Sequence, residues 1–223
     1  MTIPRMTIAI LGGAGKEGSG LALRWADAGH HIIIGSRDPA RAREAAAAIN
    51  ATLGREAASG TDNLAAAEKA ELVVLAVPYA AQQATVAAVQ AALSGKILID
   101  VTVPLVPPKV AQVQLPEGGS AVEAVQTMLG EAVKVVSAFQ NISAHHLTHL
   151  GEAVDCDVLV CADDKDAGEL VVGLAREIGL GAFYAGVLAN SVVAEALTSV
   201  LIALNRRYKV PGAGIRITGI PRD

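Results

Sequence analysis

The chain has no run of basic residues. Its 18 Lys and Arg are scattered among 22 Asp and Glu, for a formal net charge of −4. Tracking a nucleic-acid backbone takes a stripe of cations that displaces counterions, so DNA and RNA are not expected as partners. Cysteine is nearly absent. Cys156 and Cys161 bracket Val158-Leu-Val160, too far apart along a strand for a redox pair, and are expected as packed thiols. No charged and then apolar leader opens the sequence, so a cytoplasmic, reducing location is expected, with Met1 to Arg5 a dispensable lead. The longest apolar runs, 72–77, 97–106 and 192–204, read as too short or too polar to span a bilayer. No repeat of fixed period and no linker rich in Pro, Gly or Ser divides the 223 residues, which suffice to bury one substantial core.

What is present is an alternation of short β-branched runs with Ala-rich stretches that carry larger apolar residues at helical spacing. Strands are expected near 7–11, 31–35, 56–59, 72–76, 97–101, 134–138, 157–161 and 182–185. Helices are expected over 18–28, 39–52, 62–69, 80–93, 121–129, 144–149, 165–178 and 190–208, with Asp164 as an N-cap and Gly179 as a stop. The pattern predicts an α/β fold, a Rossmann-type doubly wound, mainly parallel sheet with a small C-terminal helical segment. Residues 1–186 would form the dinucleotide-binding domain. Residues 187–223 would form a C-terminal helix and tail with an oligomer interface, because 192–204 is apolar on more than one face; a homodimer is expected.

The apolar strand Ile8-Ala-Ile-Leu11 leads into Gly12-Gly13-Ala14-Gly15-Lys16-Glu17-Gly18 and then into a helical pattern. That context gives Gly13-x-Gly15-x-x-Gly18 its meaning: a tight turn at the first glycine, close approach of a pyrophosphate at the second, and helix packing at the third. After the second strand an NAD-binding chain normally places an acid for the ribose 2′-hydroxyl. Ser36, Arg37 and Arg41 stand there instead, a hydroxyl and two guanidinium groups suited to a 2′-phosphate, so NADP(H) is the expected cofactor. Ligands of such a sheet bind at the carboxyl ends of its strands. Val77-Pro78 and Val103-Pro104-Leu105 would present fixed, extended backbone to the nicotinamide half, with Ala138-Phe139-Gln140-Asn141 beside them.

Several segments together resemble the family of NADPH-dependent reductases of the deazaflavin coenzyme F420. They are 11–24, Gly29-His30 with Gly35-Ser-Arg37, 135–138, 157–160, Ala189-Asn190, Glu195-Ala-Leu-Thr198, 204–209 and Gly214-Ile-Arg-Ile217. The resemblance runs over nearly the whole chain. It implies hydride transfer between NADP(H) and coenzyme F420, both small-molecule partners. It further implies phosphate contacts from Gly12 to Gly18, 2′-phosphate contacts from Ser36, Arg37 and Arg41, and ring contacts at Val77, Pro78, Pro104, Leu105 and Ala138 to Asn141. The chain departs from the family pattern at Ala14, where Thr is common, at Gln140 and Ser143, and in a tail extended through 219–223, whose terminal carboxylate must sit elsewhere.

Direct hydride transfer needs no side-chain nucleophile, so no catalytic acid or base is assigned. His145, His146 and His149 lack a carboxylate at supporting spacing and read as a partly exposed helix, not a metal site. Asp163, Asp164 and Asp166 read as helix capping, and Arg206, Arg207 and Lys209 as complements to a helix dipole. Three other functions stay open at this point. A flavin or ferric reductase is one, since Ala138 to Ala144 also resembles a turn of the metalloreductase cytosolic domain. The others are a non-catalytic NADP-binding redox sensor and an imine or hydroxy-acid reductase, for whose helical domain the chain beyond 186 is short.

Overall fold

The computed structural model describes residues 3–152 and 154–221. β1 (Thr7–Leu11), α1 (Lys16–Ala28), β2 (His31–Ser36), α2 (Pro39–Leu53), β3 (Ala58–Asp62) and α3 (Asn63–Lys69) open the fold. β4 (Leu72–Leu75), α4 (Gln82–Leu93), β5 (Ile97–Asp100), α5 (Ala121–Leu129) and β6 (Lys134–Ser137) follow. The chain closes with α6 (Ala144–Leu147), β7 (Val154–Ala162), α7 (Lys165–Glu177), β8 (Leu180–Tyr184) and α8 (Ser191–Tyr208). The sheet order is β3-β2-β1-β4-β5-β6-β7-β8, parallel throughout except for the antiparallel β6–β7 pair. The order reverses between β1 and β4, which makes the carboxyl ends of those strands the switch-point crevice.

Alternation along β1 shows why both faces are covered. Ile8 and Ile10 join one apolar cluster with Leu21, Trp25, Ile49 and Val171, while Ala9 and Leu11 join the opposite one with Ala66, Val86, Val89 and Val122. Small residues let the helices sit close on the sheet. Several expectations shift: β7 begins at Val154 and β8 at Leu180, earlier than expected, and α6 ends at Leu147. β3 runs 58–62, since Asn50 binds the Ala57 and Ala58 amides and holds 57 outside the strand. α1 starts at Lys16, two residues early, placing Lys16 and Glu17 in its first turn. The lead is packed into the fold: Ile3 is buried against Gly173 of α7, and Arg5 pairs with Glu177. Met1 and Thr2 of that lead lie outside the described residues.

α8 and the segment after it complete the far side. Ser191, Ala194, Glu195, Ser199 and Leu201 of α8 are buried, whereas Val193, Val200, Leu204 and Tyr208 are exposed. The element from Leu188 to Tyr208 is, by length and composition, apolar enough to cross a membrane; this corrects the expectation, which had counted 192–204 alone. Its inner face is nevertheless bonded into the fold through Glu195 and Thr198. Beyond Lys209 the chain turns back: Ser143 Oγ donates to Pro211 O, His146 Nε2 to Gly212 O at 2.8 Å, and Asp157 N to Ile215 O at 2.8 Å. The Ile217 amide donates to the Asp157 carboxylate at 2.6 Å. The tail thus flanks the first half of β7, which β6 reaches only at Cys161 and Ala162. The expectation for the terminal carboxylate concerns Asp223, outside the described residues.

Candidate functional site

The loop after β1 carries the steric demand on glycine that the motif implies: a Cβ on Gly13 would lie 2.8 Å from Ile10 O. Gly12, not Gly13, is left-handed (φ +79°), and a Cβ there would lie 2.5 Å from Ala76 O. A Cβ on Gly18 would lie 2.9 Å from Gly12 O and Gly13 Cα, so α1 sits flush on the turn. α2, α3, α5 and α7 each begin on a side chain, Asp38, Asp62, Ser120 and Asp164, that accepts a first-turn N–H. α1, on Gly15, has no side-chain cap, and neither have α4, α6 and α8; of these, α1 is the one that opens from the glycine turn after β1. Its first-turn donors are left for an anion, and the macrodipole favours one there.

One cleft of about 250 Å³ gathers Gly12, Ala14 and Gly15 with Ser36, Arg37 and Arg41, and with Val77 and Pro78 of the loop after β4. Ser36 is half-buried and both arginines are exposed. The acid nearest the end of β2, Asp38, is already committed: its carboxylate accepts from Ala40 N at 2.9 Å. Asn63 and Thr85 line the same cleft and escaped the sequence reading. A larger depression of about 780 Å³ lies around Arg43, Asn50 and Gly60 and involves none of these loops.

Six buried side-chain polar atoms have no partner among the described residues: Glu17 Oε1, Asn63 Oδ1, Gln82 Oε1, Ser137 Oγ, Gln140 Oε1 and Asn141 Oδ1. All sit at or just beyond the carboxyl ends of β1, β3, β4 and β6. Unpaired buried polar groups are costly, and their confinement to one edge of the sheet fits a polar ligand bound along that edge.

The loop after β6 differs from its expected role in one residue. Phe139 is fully buried, has φ +73°, and meets Trp25 edge-on at 5.6 Å between ring centres. Its ring is core and cannot wall a slot. Ala138 is wholly buried too. Gln140 Nε2 donates to Asp100 O at 2.8 Å, and Asn141 Nδ2 to Asp157 O at 2.7 Å, so these two side chains order the loop and leave their oxygens unpaired. Pro104 is buried and Leu105 half-buried on the loop after β5.

Glu17 was expected near phosphate, where a carboxylate would repel it. One of its oxygens is out of solvent and unpartnered, and burial pushes its pKa up to about 8. Burial favours its neutral form. The folded chain keeps this proton where the unfolded chain has lost it, so stability falls as pH rises from about 4.5 to about 8. Glu17→Gln should match the wild type near pH 4.5 and exceed it at pH 9 by on the order of 1–2 kcal/mol. Thermal unfolding at both pH values checks this; an identical difference at the two would remove the proton from the account.

The remaining groups take structural places. His146 holds the tail, and His149 Nδ1 lies 3.1 Å from His145 O. Cys156 and Cys161 are buried, and burial raises the Cys161 thiol to about 11. Asp164 caps α7 and pairs with Lys134 at 2.7 Å, while Asp163 accepts from Leu188 N.

A doubly wound sheet with a glycine turn at its switch point defines a Rossmann-type fold with a site for a dinucleotide. The family description "NADP oxidoreductase coenzyme F420-dependent" matches residues 7–104. The F420-dependent NADP reductase of Methanothermobacter thermautotrophicus is 43% identical over 225 residues, covering 98% of this chain and 97% of that protein. A solved structure from Arthrobacter sp. FB24, described as an F420-dependent NADP-reductase, superposes with a TM-score of 0.79 at 28% identity, covering 96% of this chain and 99% of that one. The rat metalloreductase STEAP3 is 29% identical over 89% of this chain, but over only 37% of its own length. The chain belongs to the family of F420-dependent NADP reductases.

Proposed function

We propose that the protein transfers hydride directly between NADP(H) and coenzyme F420. The observation that carries this is the single cleft joining the uncapped turn at Gly15 to Ser36, Arg37 and Arg41 and to Val77-Pro78, in a chain that aligns end to end with a reductase of that name. When bound, the two substrates supply the chemistry, a hydride passing between nicotinamide and deazaflavin ring carbons. The chain's own part is placement. Amides of the Gly12 to Gly18 loop and the start of α1 would hold the pyrophosphate, and Ser36, Arg37 and Arg41 the 2′-phosphate. Val77, Pro78, Pro104 and Leu105 would exclude water from the rings, with the backbone of 138–141 offering polar contacts at the edge. Residues 187–223 would finish the second-substrate side. Rates measured with NADPH against coenzyme F420, FAD, FMN and ferric citrate test the assignment; faster turnover of a flavin or of iron would favour a metalloreductase-like activity.

Selectivity between the two nicotinamide cofactors follows from the end of β2. Each charge-assisted bond to a 2′-phosphate is worth roughly 1.5–3 kcal/mol, about ten- to a hundredfold in affinity. Arg37→Ala is expected to raise KM for NADPH by that factor and leave NADH unchanged. Equal use of both cofactors by the wild type would contradict this.

A homodimer formed through the outer face of α8 is part of the same reading, since Val193, Val200, Leu204 and Tyr208 expose one apolar stripe. Light scattering at twice the 22.7 kDa chain mass supports it, and a concentration-independent monomer excludes it. Two buried thiols accord with a reducing, cytoplasmic setting.

A further inference from the structure

Asp100 ends β5 and is fully buried. Its carboxylate accepts from Gln82 Nε2 at 2.7 Å and from Thr102 N at 2.9 Å. Its main-chain carbonyl accepts from Gln140 Nε2 at 2.8 Å and from Ala138 N at 3.4 Å. These donors belong to three separate segments. Gln82 opens α4 behind Val77-Pro78, Thr102 leads to Pro104-Leu105, and Ala138 and Gln140 lie in the loop after β6. Among the described residues no cation pairs with Asp100.

The network extends into α8. Gln82 Nε2 also donates to Ala121 O at 3.2 Å, and the Ala121 amide donates to Glu195 at 2.8 Å. Glu195 further accepts from Ser120 Oγ at 2.6 Å, and Thr198 Oγ1 donates to Gln140 O at 2.7 Å. A buried carboxylate without a counterion is an expensive way to fill a core, where an apolar residue of similar volume would serve as well or better. What the carboxylate adds is direction. It turns the amide of Gln82 so that Nε2 faces inward, while its carbonyl does the same for Gln140, and in both the Oε1 atom is left unpaired.

We propose that Asp100 is a positioning residue for hydride transfer, holding the loops after β4, β5 and β6 in the mutual spacing that two stacked rings require. This rests on the reaction proposed above. Reacting atoms must approach to about 3–3.5 Å, and a displacement of about 1 Å costs on the order of a hundredfold in rate. Burial, with Glu195 as the charged neighbour acting on it, pushes the Asp100 carboxyl up to about 6, so the link to Thr102 titrates within reach of experiment.

Asp100→Asn keeps shape but presents an NH2 to Gln82 Nε2, which forces that amide to turn over and abandon Ala121 O. The expected result is a fall of about a hundredfold in kcat for deazaflavin reduction, with KM for NADPH within about threefold and NADPH binding by fluorescence unchanged. Adding Gln82→Glu restores an acceptor opposite Asn and should recover about tenfold. In the protein without substrates, the Thr102 amide resonance should titrate near pH 6 in the wild type and not in Asp100→Asn; titration of Glu195 is read separately at the Ala121 amide. Gln82→Leu, which severs one link, serves should Asp100→Asn not fold, and its expected loss is about tenfold in kcat. Unchanged kcat, or parallel loss of kcat and NADPH affinity, overturns the proposal. A wild type that reduces no deazaflavin sinks the reaction instead, and the Thr102 titration then decides whether Asp100 organises these loops.

Discussion

Leu105→Trp is expected to abolish deazaflavin reduction, by about a thousandfold or more, while NADPH still binds within about twofold of the wild type. Leu105 is half-buried and its amide closes a tight turn onto Val103 O at 2.7 Å. From Val103 to Gly119 the hydrogen bonds of the loop are internal, such as Gln114 Nε2 to Val106 O and Lys109 O, so a larger side chain can be absorbed without tearing the sheet. The proposed NADPH contacts at the Gly12 turn, Ser36, Arg37 and Arg41 lie on other loops. Ala138→Trp is no equivalent probe, because Ala138 is wholly buried and the change would overpack the core. Turnover followed by loss of deazaflavin absorbance, beside NADPH fluorescence titration, checks the split. Retained turnover, or joint loss of turnover and NADPH binding, would displace Leu105 from the second-substrate side.

Arg24→Met is expected to cost about 4 kcal/mol of stability and lower the Tm by about 8–16 °C. Arg24 is 5% exposed and donates to the carbonyls of His146, Leu147, His149, Glu152 and Ile178, with no hydrogen bond to a carboxylate among the described residues. One guanidinium thereby closes the C-terminal end of α6 and meets the chain just beyond α7. Methionine keeps much of the volume but strands the buried carbonyls of Leu147 and Ile178. Lysine keeps the charge and loses the planar fork, so an intermediate Tm is expected. Calorimetry giving Arg24→Met within about 2 °C of the wild type would show that water or the relaxed backbone satisfies these groups.

The architecture was legible because apolar periodicity reports burial directly. The alternation of Ile8, Ala9, Ile10 and Leu11 becomes two covered faces, and Asp164 caps α7 as its sequence context implies. The anion-binding end was legible because glycine and the missing acid constrain backbone and charge locally. The far end of the site was not. Phe139 looked like a ring wall because it follows a strand end, and only its left-handed backbone turns the ring under Trp25. Asp100, Gln82 and Glu195 were missed because a buried polar residue carries the same letter as a solvated one. A signal existed in two of them: Asp100 interrupts the apolar run 97–106, and Glu195 is the lone charge within 192–204.

The returning segment 209–217 is expected to impose an order of assembly. The N–H and carboxylate of Asp157 meet Ile215 and Ile217, and Ser143, beside the loop that carries Gln140 and Asn141, meets a residue 68 positions downstream. Gly214 lies so close on Cys156 that any side chain there would collide with the sulfur. The nucleotide-binding half, built from contacts among neighbouring βα units, can therefore form early, whereas the loop after β6 waits on a distant partner. A chain arrested before residue 211 would be expected to hold NADPH before it could place anything against it.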